Sequence, residues 1–311
     1  ICNLTALTHL NLDRNLINVL PFEISACTRL RELITSNNPM VGPPAKVMAK
    51  PVPFILEYQR RFTEAKDTDA LYLDGMDLDA CPAEPNKLTN ITHLSLVGNN
   101  IDNVDPYLLK GSTLTSLDLS NNPWSELQEC LIGSMHRLRV VSVDNVKMQQ
   151  IPAWMTSLNN VEELTFRDNQ LAKLAPELAK LKHLQSLDCG GNQLREFPPV
   201  LCKLTWLRHM VLDGNQIAAV PAELLGCRES LETLDLARNA LLELPVFLYT
   251  FPVLRRLDIS GNSVNELNSE LGGLVSLTSL AFADNLLDEL PLELGLLTNL
   301  QHLAWRGNRL R

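Results

Sequence analysis

The chain has 311 residues, a formal net charge of −9 at pH 7 and a sequence pI near 5.2. Hydrophobic residues make up 45% and charged residues 20%, a balance that excludes a disordered chain. The acidic excess argues against non-specific nucleic-acid binding, which needs clustered Lys and Arg, and no apolar run reaches the ~18 residues of a membrane span.

Leucine dominates the hydrophobic set, while aromatics are only 5%. Such dominance by one residue points to one kind of buried slot used many times. Read from the N-terminus, the phrase L-x-x-L-x-L-x-x-N-x-L begins at Leu7 and again at Leu30. The third copy begins only at Thr68, well past the place that the first spacing sets for it. The excess falls after Asn38, where residues 39–53 carry Pro39, Pro43, Pro44, Pro51 and Pro53. Extended or turn geometry is expected there. Residues 54–66 then predict a helix with Ile55, Tyr58, Phe62 and Ala65 on one face and Glu57, Arg60, Arg61 and Glu64 away from it. After Thr68 the phrase recurs from 91, 114, 138, 161, 184, 207, 231, 254, 277 and 300. That makes thirteen copies, with eleven of twelve intervals at 23 or 24.

Each copy has a physical reading. Numbering its positions from the first Leu, the L-x-L alternation at positions four to six is a short strand with one buried face. Asn at position nine suits the turn out of the strand, since its short amide can satisfy backbone groups that lack a ladder partner. Met76 and Val146 replace Asn in two copies, whose turns should be weaker. The second half, as in Leu244-Pro245-x-x-Leu248, predicts a helical turn starting at the Pro. Neither apolar side is buried within one coil, so the coils must stack.

These residues carry a resemblance. The 23-residue copies with L-P-x-x-L are similar to the leucine-rich repeat superfamily over nearly the whole chain. Their form resembles the intracellular Ras-group repeats of Scribble-type scaffolds and plant Ras-group proteins. The resemblance implies an α/β fold: a leucine-rich repeat solenoid of about 13 repeats, a curved horseshoe with a concave parallel β-sheet and short helices or turns on the convex side. The expected organisation is N-terminal repeats over 1–38, a Pro-rich and helical interruption over 39–67, and further repeats over 68–311, in one continuous solenoid truncated at both ends. The interruption resembles a break between repeat blocks in some plant, algal and protist members. The seven cysteines include no CxxC pair. Several stand in Leu slots, Cys189 among them, and predict buried thiols in a cytoplasmic, reducing setting. Two sequons, Asn3-Leu4-Thr5 and Asn90-Ile91-Thr92, are within chance for this length.

Catalysis needs converging groups of mixed type. There is no phosphate-binding G-x-x-x-x-G-K-[ST] loop, no H-E-x-x-H and no Cys/His cluster in the sequence. His9, His93, His209 and His302 all fall at position three, coils apart, too far to share a metal. No cofactor, no metal and no catalytic residue is predicted.

The alternative is binding on the open face of the sheet, where positions three, five and seven project. Asp118, Asp144, Glu163, Asp188, Asp213, Asp235 and Asp258 form an acidic band there, interrupted by Arg167 and Arg256. Tyr72 adds an aromatic contact of the kind that anchors interfaces. A protein partner with a basic surface is the natural complement. Arg60 and Arg61 of the interruption form a competing docking surface. The expected function is a non-catalytic scaffold or adaptor, with small-GTPase signalling as a setting the resemblance implies. The other readings are the regulatory repeat array of a larger kinase or Roco-type GTPase, and a structural subunit of a large assembly such as a ciliary complex.

Overall fold

The computed structural model describes residues 3–82, 90–102, 113–124 and 136–311. The chain divides into two compact units, residues 1–142 and 143–311. The first unit carries β1 (His9–Asn11), β2 (Glu32–Ile34), β3 (Ala70–Tyr72), β4 (His93–Ser95), β5 (Ser116–Asp118) and β6 (Val140–Ser142). The second carries β7 (Glu163–Thr165), β8 (Ser186–Asp188), β9 (His209–Val211), β10 (Thr233–Asp235), β11 (Arg256–Asp258), β12 (Ser279–Ala281) and β13 (His302–Ala304). Every strand occupies positions three to five of its copy. Within each unit the strands that pair do so in parallel and in repeat register, so Leu234 of β10 stands beside Leu257 of β11 and Met210 of β9.

Burial follows the period. Positions four and six point inward, and Leu164, Phe166, Leu187, Cys189, Met210, Leu212, Leu234 and Leu236 are all fully buried. On the opposite side of each coil a short 3-10 turn closes the core. Pro221 and Pro245 immediately precede the turns Ala222–Cys227 and Val246–Thr250, held extended by their rings at φ −80° and −68°. Leu224 and Leu248 then project inward from those turns and are completely buried.

Position nine staples one coil to the next. Asn192 Nδ2 donates to Cys189 O and Gly190 O of its own coil at 3.0 and 3.1 Å, and to Phe166 O of the preceding coil at 2.9 Å. Its Oδ1 accepts from Leu171 N of that preceding coil at 3.0 Å. Asn99, Asn122, Asn215 and Asn262 repeat the arrangement. One amide therefore satisfies backbone groups on two coils.

The fold explains the composition of position eight. Gly75, Gly98, Gly191, Gly214, Gly261 and Gly307 all take left-handed φ there, as do Asn37, Asn121, Asn145, Asp168 and Asp284. Gly, Asn and Asp tolerate that region best. Arg14 and Arg238 adopt it at φ 55° and 53° against the usual steric preference. The two copies without Asn at position nine have an additional left-handed residue at position ten, Asp77 and Lys147. Where the amide is missing, the turn closes with a second backbone reversal instead.

The interruption holds two helices, α1 (Ala45–Met48) and α2 (Val52–Thr68). The longer one extends past the predicted 54–66 at both ends, with Pro51 before it and left-handed Asp69 after it. Ile55, Tyr58, Phe62 and Ala65 face inward and are buried, as their spacing requires. Phe62 stacks on Phe22 of the first 3-10 turn (Phe22–Ala26) at 4.6 Å between ring centroids. Lys46 and Lys50 tie the α1 segment to Asp77 at 2.8 and 2.5 Å, and their hydrogen bonds hold that carboxyl at about 2. One difference from the expected sheet follows. The strands β1 and β2 form a ladder of their own, and β2 does not pair with β3. The extra residues build a helix that packs on β3 where the next strand would stand.

Candidate protein-binding surface

The open face is best read through its backbone. Position-seven N–H groups need an acceptor near the end of each strand. In four coils the position-five Asp supplies it: Asp118, Asp188, Asp235 and Asp258 accept through Oδ1 from the amides of Ser120, Gly190, Ala237 and Ser260 at 2.8–3.0 Å. In two others the acceptor is the position-seven Asp of the preceding coil. Asp74 accepts from Val97 N at 3.1 Å, and Asp144 from Arg167 N at 2.7 Å. The acidic band predicted as a binding device thus also terminates strands.

Its members differ in the direction in which their surroundings shift the carboxyl. Burial pushes the carboxyls of Asp188 and Asp235 above their ordinary value, against the lowering effect of their backbone hydrogen bonds. Burial acts in the same direction on Asp213, but hydrogen bonds from Arg167 and Arg238 outweigh it and hold this carboxyl low. Arg167 grips Asp213 with both terminal nitrogens, Nη1 to Oδ1 at 2.8 Å and Nη2 to Oδ2 at 2.9 Å, and leans on Asp188 at 3.3 Å. Arg238 donates to the other side of Asp213. The Asp213 side chain is 6% exposed. It is therefore a buried, doubly paired carboxylate and not an exposed member of the band. Arg238 was missed because position eight lies outside the alternation of positions three, five and seven. An Arg at a left-handed position was the available signal. Glu163 and Arg256 lie exposed on β7 and β11, and Asp235 and Asp258 face each other in register on β10 and β11.

In the first unit the structure joins two surfaces that the sequence set in competition. Arg60, Arg61, Glu64 and Thr68 of α2 and Ala70, Tyr72 and His93 of β3 and β4 line one open cleft of about 720 Å³. Tyr72 is 52% exposed in it. The arginines are already engaged. Glu57 accepts from Arg60 Nε and Nη2 and from Arg61 Nε, each at 2.7 Å, and Arg60 also pairs with Glu64. These hydrogen bonds, Arg60's first, hold the Glu57 carboxyl at about 2. His9, His93, His209 and His302 are exposed on the open face. Among the described residues no group of three or more His, Cys, Asp or Glu could hold a metal ion, and no helix is long and apolar enough to cross a membrane.

Comparison with known proteins agrees with this geometry. The family profile described as leucine rich repeats (2 copies) matches residues 159–203. A solved leucine-rich repeat protein of Leptospira interrogans is 30% identical, covers 99% of this chain and 74% of its own, and superposes with a TM-score of 0.74. The chain belongs to the leucine-rich repeat family. Leucine-rich repeat chains generally mediate protein–protein interaction, and the matches indicate no catalytic family. Two curated relatives share parts of the array. The flightless-1 homolog of Caenorhabditis elegans is 32% identical over 29% of this chain and 7% of its own length. The transforming growth factor beta activator LRRC33 of Danio rerio is 29% identical over 56% of this chain and 22% of its own length. The chain thus spans less than a quarter of either curated relative.

Proposed function

We propose that this leucine-rich repeat chain is a non-catalytic scaffold that docks a protein partner on the open face of its sheet. One observation carries the reading. Asp235 and Asp258 stand in register on adjacent strands, each spending Oδ1 on its own backbone, with Val211 beside Asp235 on β9. A partner segment with basic side chains and an apolar residue complements that patch. The intracellular Ras-group affiliation is part of the proposal and is supported by the 23-residue period and the L-P-x-x-L second halves. A reducing, cytoplasmic setting is supported by the buried thiols of Cys189, Cys202 and Cys227, which burial pushes up, the last to about 12. The proposal makes no use of a small-GTPase setting, an attached kinase or a ciliary assembly.

The test separates charge from architecture. Asp235→Asn with Asp258→Asn keeps the oxygens that accept from Ala237 and Ser260 and removes both charges. A partner is first identified by cross-linking at the open face, then its association is followed as salt is varied. Slower association with a flatter salt dependence is expected. Association unchanged at low salt would refute the reading.

A further inference from the structure

We propose a second docking surface, on the turn edge of the second unit: a strip led by Lys182, Lys203 and Trp206 that takes an acidic protein segment carrying an apolar side chain. It lies off the open face and does not depend on the open-face reading.

The strip is the stretch that leads from each 3-10 turn into the next strand. Lys180 and Lys203 close equivalent turns, Pro176–Lys180 and Leu201–Lys203. His183 and Trp206 then fill the same slot, the residue before position one, ahead of the paired strands β8 and β9. Elsewhere that slot has a local use. Ser230 Oγ and Ser276 Oγ donate from it to Leu207 O and Pro252 O at 2.9 and 2.6 Å, and Asn299 Nδ2 donates to Val275 O at 2.9 Å. Each of these short polar side chains stitches its coil to the preceding one. Trp206 does not: its indole makes no hydrogen bond among the described residues and is 69% exposed. A large aromatic in that slot leaves apolar surface in water, the kind of side chain that anchors an interface.

The charges around it select the partner. Lys180, Lys182 and Lys203 are exposed, and none of them pairs with a carboxylate among the described residues. The cations further along are engaged, Arg208 with Glu232 at 3.1 Å and Arg228 with Thr250 O at 2.9 Å. Beyond Trp206 the same strip turns apolar through Pro252, Val253 and Val275, the last of them 56% exposed. It therefore runs from free amino groups, through an aromatic, to aliphatic side chains. The complement is a segment with carboxylates at one end and an apolar side chain at the other, opposite in sign to the segment that suits Asp235 and Asp258. A protein segment fits better than an anionic bilayer, because the free amino groups are confined to two coils, Glu229 lies on the same strip, and the net charge of −9 repels an extended anionic surface.

The test uses the full chain and a fluorescein-labelled peptide in which a run of Glu and Gly is followed by Leu. Its affinity is read by anisotropy, and shielding of Trp206 by iodide quenching, with the Trp206→Ala protein subtracted to isolate that indole. The peptide is expected to bind and to shield Trp206. Trp206→Ala should weaken binding about tenfold, as loss of an aromatic anchor does. Lys182→Glu with Lys203→Glu should weaken it at least as much and flatten its salt dependence. Asp235→Asn with Asp258→Asn should leave it unchanged, which keeps this surface distinguishable from the open face. All three substituted strip residues are exposed, so each variant should melt as the unsubstituted protein does. Absence of peptide binding, binding indifferent to Trp206→Ala, or binding of phosphatidylserine vesicles in place of the peptide would overturn the proposal.

Discussion

Arg167 reaches over Gly190 to hold both carboxylate oxygens of Asp213, two coils further along the chain. All three residues sit at position seven of consecutive coils. A Cβ on Gly190 would lie 2.3 Å from Arg167 Nη1 and 2.3 Å from Asp213 Oδ1. The glycine is therefore a requirement of the bridge and not of the turn. Gly190→Ala should break the bidentate contact and leave a buried carboxylate with Arg238 alone. A loss of about 1–3 kcal/mol is expected, below the range for fully buried pairs because Arg167 is a third exposed. Urea melts check it, and parity with the unsubstituted protein would show that the bridge is not worth its desolvation.

The pH dependence should separate two kinds of carboxylate. The folded-state pKa of Asp213 is lowered, so its contribution is present above the unfolded value of about 3.9 and is lost as pH falls through the folded value. That of Asp235 is raised, so its ionisation opposes folding from the unfolded value upward and does so in full above the folded value. Asp235→Asn keeps the acceptor for Ala237 and should be neutral or stabilising at pH 7, with the gain vanishing below about pH 4. Asp213→Asn should destabilise at pH 7 and converge on the unsubstituted protein in acid. Thermal melts from pH 3 to pH 7 distinguish the pair, and parallel curves would contradict both signs.

Position nine predicts a local cost with a reach of two coils. Asn192→Ala and Asn215→Ala each strand backbone groups on their own coil and on the preceding one. A loss of roughly 1–3 kcal/mol per site is expected. Hydrogen exchange gives the sharper check, because Leu171 N and Leu194 N, the amides of the preceding coils, should lose protection.

Two arginines offer a test of backbone strain. Arg14 is left-handed, and its nearest carboxylate contact is an exposed one to Asp13 at 3.5 Å. Arg14→Gly should stabilise by about 1 kcal/mol through relief of the left-handed penalty. Arg238→Gly relieves the same strain but loses the contact to Asp213, so its gain should be smaller or absent. Comparison of the two melting temperatures decides, and equal gains would mean that the Arg238 contact contributes nothing.

Most of the fold was legible because the repeat is written in local order. The Leu slots at positions one, four and six marked which side chains are buried. The Pro-x-x-Leu halves marked the 3-10 turns, and the spacing of Ile55, Tyr58 and Phe62 set the buried face of α2. The Asn staple was half legible: its chemistry could be inferred from one copy, but its bonds to the preceding coil appear only when coils stack. The site was less legible. Asp213 and Asp235 look alike in sequence, one at position seven and one at position five of adjacent copies. One is neutralised by two arginines and the other is not, because Arg167 lies two coils from its partner and Gly190 happens to clear the path.

The amino-acid sequence by itself determined the period, the parallel strands, the core and the one irregular coil, since each depends on side chains within one repeat or the next. The tertiary structure alone decided which charges are spent. It gave Arg61 to a backbone carbonyl of β3, Arg60 to Glu57 and Glu64, and Arg167 to Asp213. The reason is physical: stacking brings residues from separate coils to hydrogen-bond distance. At that range desolvation and geometry, not the number of charges in the chain, fix whether a side chain faces a partner or the protein itself.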